Sequence, residues 1–325
     1  MNIFEIVFIL RIAGLTTRPT HELSGSKNML KIYAEQGRYS VFKIADVIAN
    51  AHKRGYSLSL IRLGDGEGRL LGYPDFITKS ELDKSLSIWF GRTNFDSISL
   101  IKLSSLLRNS VRKADIIGVP RAKQQVMSEY KSVIFSIRMF NLIDDNHILT
   151  DAAIHRYMQV SLLYRKILFG IDFCGLITCR DISDRIKNIF KIKNITEYLI
   201  PSEYMYLGNI DNDHFPERFE SLKKQIKVPY PGAIFLVGAG ALGKIYCHWI
   251  KEAGGIAIDI GSIFDIWAGI KSRPRFCYGL DDYESIPMIS IKESMSRYNS
   301  FCDEFNLDCI RMVEKDFYEA ENVSF

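Results

Sequence analysis

Short apolar runs alternate with longer stretches of helical spacing along most of the chain. Val, Ile, Leu and Phe gather in Leu58–Leu63, Asp115–Val119, Phe173–Thr178, Tyr198–Ile200, Ala233–Val237 and Ile256–Ile260, most of them closed by Gly or Pro. Short runs bounded in this way predict strands buried on both faces. Between them, apolar residues recur every three or four positions in Ser80–Phe90, Ser97–Arg112, Ala122–Phe140, Ala152–Leu168, Ser183–Phe190 and Ala241–Ala253, which predicts helices. Strands that alternate with helices imply an α/β fold: a mostly parallel sheet flanked by helices, Rossmann-like. In such a sheet, ligands gather beyond the carboxyl ends of the strands. Thr16–Asn28, with Pro19, Gly25 and several hydroxyl residues, reads as a linker. The expected organisation is an N-terminal segment and linker over 1–28, a single compact domain over 29–290 and a helical extension over 291–325.

Composition adds limits. A chain of 325 residues with a 47% hydrophobic fraction has enough apolar material for one large core. A net charge of +4 is mild. It argues against a nucleic-acid partner, whose recognition takes a concentrated basic face, and suits an anionic small ligand. The six cysteines form no CxxC pair, so the pattern predicts reduced, mostly buried thiols in a cytoplasmic protein and no zinc site. The apolar run Ile3–Leu15 is interrupted by Glu5 and Arg11 and falls short of the roughly 20 residues that cross a bilayer. It is expected to dock on the body; its second reading is a peripheral contact with the inner face of the membrane.

The first chemical signal follows the first strand. Arg62-Leu63-Gly64-Asp65-Gly66-Glu67-Gly68 sets two carboxylates among three glycines. Glycines let the backbone turn sharply and let a ligand come close. Carboxylates two residues apart can converge on a hard cation, Mn²⁺ or Mg²⁺, that bridges diphosphate oxygens. Arg62 can fork onto phosphate or clamp one of the acids. The plain alternative is a solvated Gly-Asp-Gly turn.

A second signal is Gly238-Ala239-Gly240-Ala241-Leu242-Gly243-Lys244 between a strand and a helix, with Asp259 about 20 residues on. This spacing is a dinucleotide fingerprint: glycines for the turn, a helix N-terminus for pyrophosphate, an acid for ribose. Ile245 stands where a P-loop needs Ser or Thr, which argues against a P-loop NTPase. The fingerprint supports an NAD(P)-dependent oxidoreductase as the rival reading, although it begins too late in the chain for a full six-stranded cofactor domain. Its glycines are otherwise explained by close packing. A non-catalytic nucleotide-binding module is the third reading.

Other polar residues sit near predicted strand ends. Asp151 and His155 share a helix face with Arg156 and Tyr157 beside them, Arg180 and Asp181 follow one strand, Glu203 and Tyr204 another, and Asp265 lies near Trp267 beyond the last. Each also has a structural alternative, as a helix cap or a satisfied half-buried group.

Taken together, Ile61-Arg62-Leu63-Gly64-Asp65-Gly66-Glu67 and Ala257-Ile258-Asp259-Ile260-Gly261-Ser262 resemble the bacterial GT-D-type glycosyltransferases, over roughly residues 40–270. The resemblance implies a GT-D-type catalytic domain that transfers a hexose-type sugar from a nucleotide-sugar, a UDP-sugar, to a hydroxyl of a glycan, glycolipid or glycoprotein acceptor, as in surface polysaccharide synthesis. It implies Asp65 and Glu67 as carboxylates for Mn²⁺ or Mg²⁺ and Arg62 near the phosphates. The expected site is then Asp65, Glu67 and Asp265 for catalysis, with Arg62, Gly64, Gly66, His155, Arg180, Gly238, Gly240, Gly243 and Asp259 around the donor.

Overall fold

The computed structural model describes residues 40–121, 124, 127–203, 214–270, 272, 279–286 and 289–307. Its centre is one sheet of seven parallel strands: β1 (Leu58–Arg62), β2 (Ile116–Val119), β3 (Ile148–Asp151), β4 (Phe173–Thr178), β5 (Asn194–Leu199), β6 (Ile234–Val237) and β7 (Ile256–Asp259). Across the sheet the order is β3-β2-β1-β7-β6-β4-β5. The chain runs outward from β1 to β3, then crosses over and fills in the other half, ending with β7 against β1. That reversal opens a crevice at the carboxyl ends of the central strands, where open α/β sheets hold their ligands.

The α-helices among the described residues are α1 (Val41–Arg54), α2 (Glu67–Gly72), α3 (Lys79–Phe90), α4 (Ser97–Arg112), α5 (Lys131–Met139), α6 (Ile154–Val160), α7 (Tyr164–Leu168), α8 (Ser183–Phe190), α9 (Phe219–Gln225), α10 (Gly240–Glu252), α11 (Ile263–Trp267), α12 (Asp281–Ser285) and α13 (Ile291–Glu304). They cover both faces of the sheet because successive strand residues point to opposite sides. Ile61, Ile117, Ile177 and Phe235 enter one apolar cluster, and Leu60, Ile116, Leu176 and Leu236 enter the other. Only β5, at the edge, keeps exposed positions along its length.

Helix ends follow local chemistry. Ser40 accepts the Lys43 N–H and Gly55 closes α1 in the left-handed region. Thr78 and Glu81 form a capping box at the start of α3. Two predicted helices are broken. Within its described part, Ala122–Phe140 is interrupted because Met127 is extended; a short 3-10 turn follows before α5. Ala152–Leu168 splits into α6 and α7 at Leu162, which takes a φ of 55° and buries its side chain. The strand β3 was not predicted; Ile148–Asp151 is too short a run to stand out until β2 pairs with it. Helix α2 was also unexpected, its first residue lying inside the glycine-rich segment.

The extension expected over 291–325 begins as α13, which packs into the body: the Tyr298 ring meets Tyr157 edge-on at 5.2 Å, and Arg297 Nε donates to the Val160 carbonyl at 3.0 Å. The N-terminal segment and linker over 1–28 lie outside the described residues. Cys174, Cys179 and Cys247 are free thiols as expected, but Cys302 is disulfide-bonded, which corrects the expectation of reduced cysteines throughout. Cysteine spacing carries no information on which thiols the tertiary fold brings together. Among the described residues no helix is long and apolar enough to cross a membrane.

Candidate active site

A cleft of about 590 Å³ opens along the carboxyl edge of the sheet, a size that suits a nucleotide-sized ligand. The segment after every strand contributes to it. Asp65 follows β1, Arg121 β2, Arg156 β3, Arg180 β4, Glu203 β5, Gly240 β6 and Asp265 β7. Helix α3 adds Trp89 from the side.

Both acids of the turn after β1 line the cleft, but they differ in exposure and partners. Gly64-Asp65-Gly66 forms the turn and Glu67 opens α2, where a carboxylate is favoured by the helix dipole. Glu67 Oε2 accepts the Gly64 N–H at 2.8 Å, and Oε1 lies 2.7 Å from Lys244 Nζ. Glu67 is 7% exposed, whereas Asp65 is open to the cleft and makes no hydrogen bond or ion pair among the described residues. The Asp65 charge instead reaches the Tyr130 phenol, which is pushed up first by burial and then by that carboxylate. Gly68 is required just behind the turn. A Cβ there would stand 2.5 Å from the Val133 nitrogen, so the glycine allows α2 to lie against α5.

Behind the turn, four charged side chains form a buried cluster. Arg62 Nη2 meets Asp259 Oδ1 at 2.9 Å, and its Nε donates to the Asp259 carbonyl at 3.0 Å. Arg62 Nη1 donates to the Ala152 carbonyl at 3.3 Å and lies 3.0 and 3.2 Å from the two His155 ring nitrogens. Lys244 Nζ donates to the Gly240 carbonyl at 3.0 Å and lies 3.1 Å from Asp259 Oδ2, an ion pair too poorly angled to count as a hydrogen bond. Two cations and two anions therefore balance at the wall of the cleft, with Asp259 and Lys244 the most deeply buried, the arrangement in which buried charges are tolerated. Burial works against the Asp259 charge, but Arg62 and Lys244 outweigh it and hold the carboxyl below its ordinary value. The same opposition raises Lys244: burial disfavours its charge, and Asp259 and Glu67 restore it.

This cluster corrects the dinucleotide fingerprint. Asp259, expected at a ribose, is 2% exposed and faces Arg62 and Lys244 instead of the cleft. Gly243 also lies outside the cleft lining; a Cβ there would meet Val237 Cγ1 at 3.3 Å, so its role is packing. At Gly238 a Cβ would strike the Phe264 ring at 2.5 Å, again a packing demand, although its backbone reaches the cleft. Gly240 lines the cleft as well. Its φ is +53°, and a Cβ would come 2.6 Å from Glu203 Oε1 at the N-terminus of α10.

Asp265 is also engaged. Arg180 Nε and Nη2 both reach its Oδ1 at 2.7 Å, and Ser272 donates to Oδ2 at 2.6 Å. Asp265, expected as a free catalytic acid, thus lines the cleft as the ion-pair partner of Arg180. His155 is buried against Arg62, and Asp181 is exposed outside the cleft lining. Tyr204 lies outside the described residues. Four cleft residues escaped the sequence pattern: Arg69, Arg121, Lys244 and Trp89. Lys244 was visible only as the lysine of an incomplete P-loop, and Trp89 only as an apolar position of α3. The Trp89 indole lies 3.5 Å from where a Gly66 Cβ would stand, beside the Asp65 turn.

Among the described residues no three His, Cys, Asp or Glu side chains form a ready cation cage. Comparison with known proteins places the chain. No curated protein matches it. A solved structure described as a new glycosyltransferase of the domain of unknown function 1792 from Streptococcus sanguinis is 14% identical, over 87% of this chain and 97% of that one, with a TM-score of 0.47. A second, reported as showing that this domain of unknown function has a distinct glycosyltransferase fold, is 14% identical over 90% and 97%, with a TM-score of 0.45. The model of the GT-D fold-like domain matches residues 39–267, from the entry to α1 to the end of α11, and the chain belongs to that family.

Proposed function

We propose that the protein is a glycosyltransferase that moves a hexose-type sugar from a UDP-sugar to an acceptor hydroxyl of a glycan, glycolipid or glycoprotein. The observation that carries this reading is the placement of Asp65, open to a cleft lined by Arg69, Arg121 and Arg156, on the turn after the central strand. A diphosphate donor needs such a cationic cleft, and family membership agrees with it.

Asp65 fits a divalent ion, Mn²⁺ or Mg²⁺. It is a hard oxygen donor on a glycine-flanked turn, and such ions commonly use one or two carboxylates and take their remaining ligands from substrate phosphates and water. The ion would help neutralise charge on the leaving diphosphate. The chain's own part is to bind and orient. Trp89 offers a ring face beside the turn for the base or the sugar. The arginines favour the charge that develops on the leaving group, usually the largest catalytic contribution in such a site. Glu203 lies beside Gly240 at the cleft wall, and in this reading it would take the acceptor proton. The oxidoreductase reading is weaker, because Asp259 is committed to Arg62 and Lys244.

A thermal-shift panel tests the reading with UDP, UDP-sugars, GDP, NAD⁺ and NADPH, each with and without Mn²⁺. A ligand at a hundredfold excess over Kd stabilises by about 2.7 kcal/mol. At roughly 2–4 °C per kcal/mol in a chain of this size, the shift is readily measured. The expected result is a shift with UDP or one UDP-sugar, enlarged by Mn²⁺. A shift with NADPH and none with any UDP compound would overturn the proposal.

A further inference from the structure

We infer that the positive partner of Glu67 is Lys244 and not a divalent ion, so that within the Asp-x-Glu pattern Asp65 alone faces the metal and Glu67 is a positioning residue. The inference rests on the donor reading above and narrows it. Both oxygens of Glu67 are already used, one by the Gly64 N–H at 2.8 Å and one by the Lys244 ammonium at 2.7 Å. The ammonium is itself surrounded by oxygens of Glu67, Gly240 and Asp259, and it is 3% exposed. A divalent ion on Glu67 would have to displace that ammonium or sit beside it. The four-charge cluster is neutral as it stands, and either outcome would leave uncompensated charge in a buried place.

What Glu67 does instead follows from its two contacts. Through Gly64 it holds closed the turn that carries Asp65. Through Lys244, whose Nζ also holds the Gly240 carbonyl, it ties that turn to the glycine turn after β6. The metal-facing acid and the N-terminus of α10 are thereby kept in one register across the crevice.

The two roles are separated by calorimetric titration of UDP, with and without Mn²⁺, into the parent protein and the Asp65→Asn, Glu67→Gln and Glu67→Ala variants. The quantity read is the ratio of UDP affinities in the two buffers. Asp65→Asn should bring that ratio to one. Glu67→Gln, which keeps an acceptor oxygen, should leave it within twofold of the parent. Glu67→Ala should weaken UDP binding tenfold or more by the same factor in both buffers, because the turn loosens while the metal carboxylate remains. A Glu67→Gln protein whose ratio falls to one, as with Asp65→Asn, would overturn the inference, and this variant decides the matter if Glu67→Ala does not fold. A parent that binds UDP equally in both buffers, with Glu67→Ala weakened in both, would remove the metal from Asp65 and keep the assignment of Glu67. A parent that binds no UDP in either buffer would sink the donor reading and this inference with it.

Discussion

Arg62 and Asp259 are locked together at the carboxyl edge of the sheet: Nη2 meets Oδ1 at 2.9 Å, and Nε meets the backbone carbonyl of the same residue at 3.0 Å. The contact joins the neighbouring strands β1 and β7 at the crevice between them. It also fixes the turns on either side of the cleft, since Gly261 lies close enough that a Cβ would stand 2.3 Å from Arg62 Nη2.

Replacing Arg62 by Met should therefore act on stability before it acts on ligand. It would leave Asp259 buried with Lys244 as its only cationic partner, and breaking a buried pair typically costs about 3–5 kcal/mol. Urea denaturation at pH 7 measures this. The pH dependence has a definite sign. Because the folded state holds the Asp259 carboxyl below the ordinary value of 3.8, its stabilising contribution is complete above that value and lost as pH falls further, through the folded-state value. The destabilisation caused by Arg62→Met should accordingly shrink in acid below about pH 4. An equal effect at pH 7 and at pH 3 would show that the charge pair is not its source.

Glu203→Gln separates binding from chemistry. The side chain lies against the N-terminus of α10, where its oxygen would crowd any Cβ at Gly240. Loss of a general base typically lowers the rate about 10²–10⁴-fold. Turnover of the donor onto an acceptor should fall by that order, while UDP affinity in calorimetry stays within twofold. A variant with full turnover would remove Glu203 from the acceptor proton.

His214 supplies an acid-sensitive group near the cleft. Burial first, and then the Arg218 charge, push its imidazole down to about 3, while its Nε2 lies 2.8 Å from the Tyr246 hydroxyl. The folded protein thus keeps His214 neutral in a range where the unfolded chain protonates it. Between roughly pH 6 and pH 4, stability should fall by about 1.4 kcal/mol per pH unit from this residue alone. The His214→Asn protein should lose that part of the slope in denaturant titrations at pH 6, 5 and 4. Parallel slopes in parent and variant would contradict the assignment.

The sequence by itself determined the fold class and most of its elements. Ser97–Arg112, Phe173–Thr178 and Ser183–Phe190 were legible to the residue, because a long amphipathic stripe or a run buried on both faces reports its surroundings through periodicity alone. The location of the cleft was legible too, since ligands gather beyond the strand ends of a parallel sheet, and Asp65, Arg180 and Gly240 line it. What only the tertiary structure decided is how those groups are shared out. Asp65 and Glu67 are two residues apart, yet one faces solvent and the other an ammonium carried by α10. Asp259 had the spacing of a ribose ligand, but β7 lies beside β1, where Arg62 claims it. Asp265 stood beyond a strand end as a free acid until Arg180, from the end of β4, closed on it. Spacing along a chain fixes which residues share a local face. Which charge meets which across the sheet depends on strand order, and no local pattern encodes that.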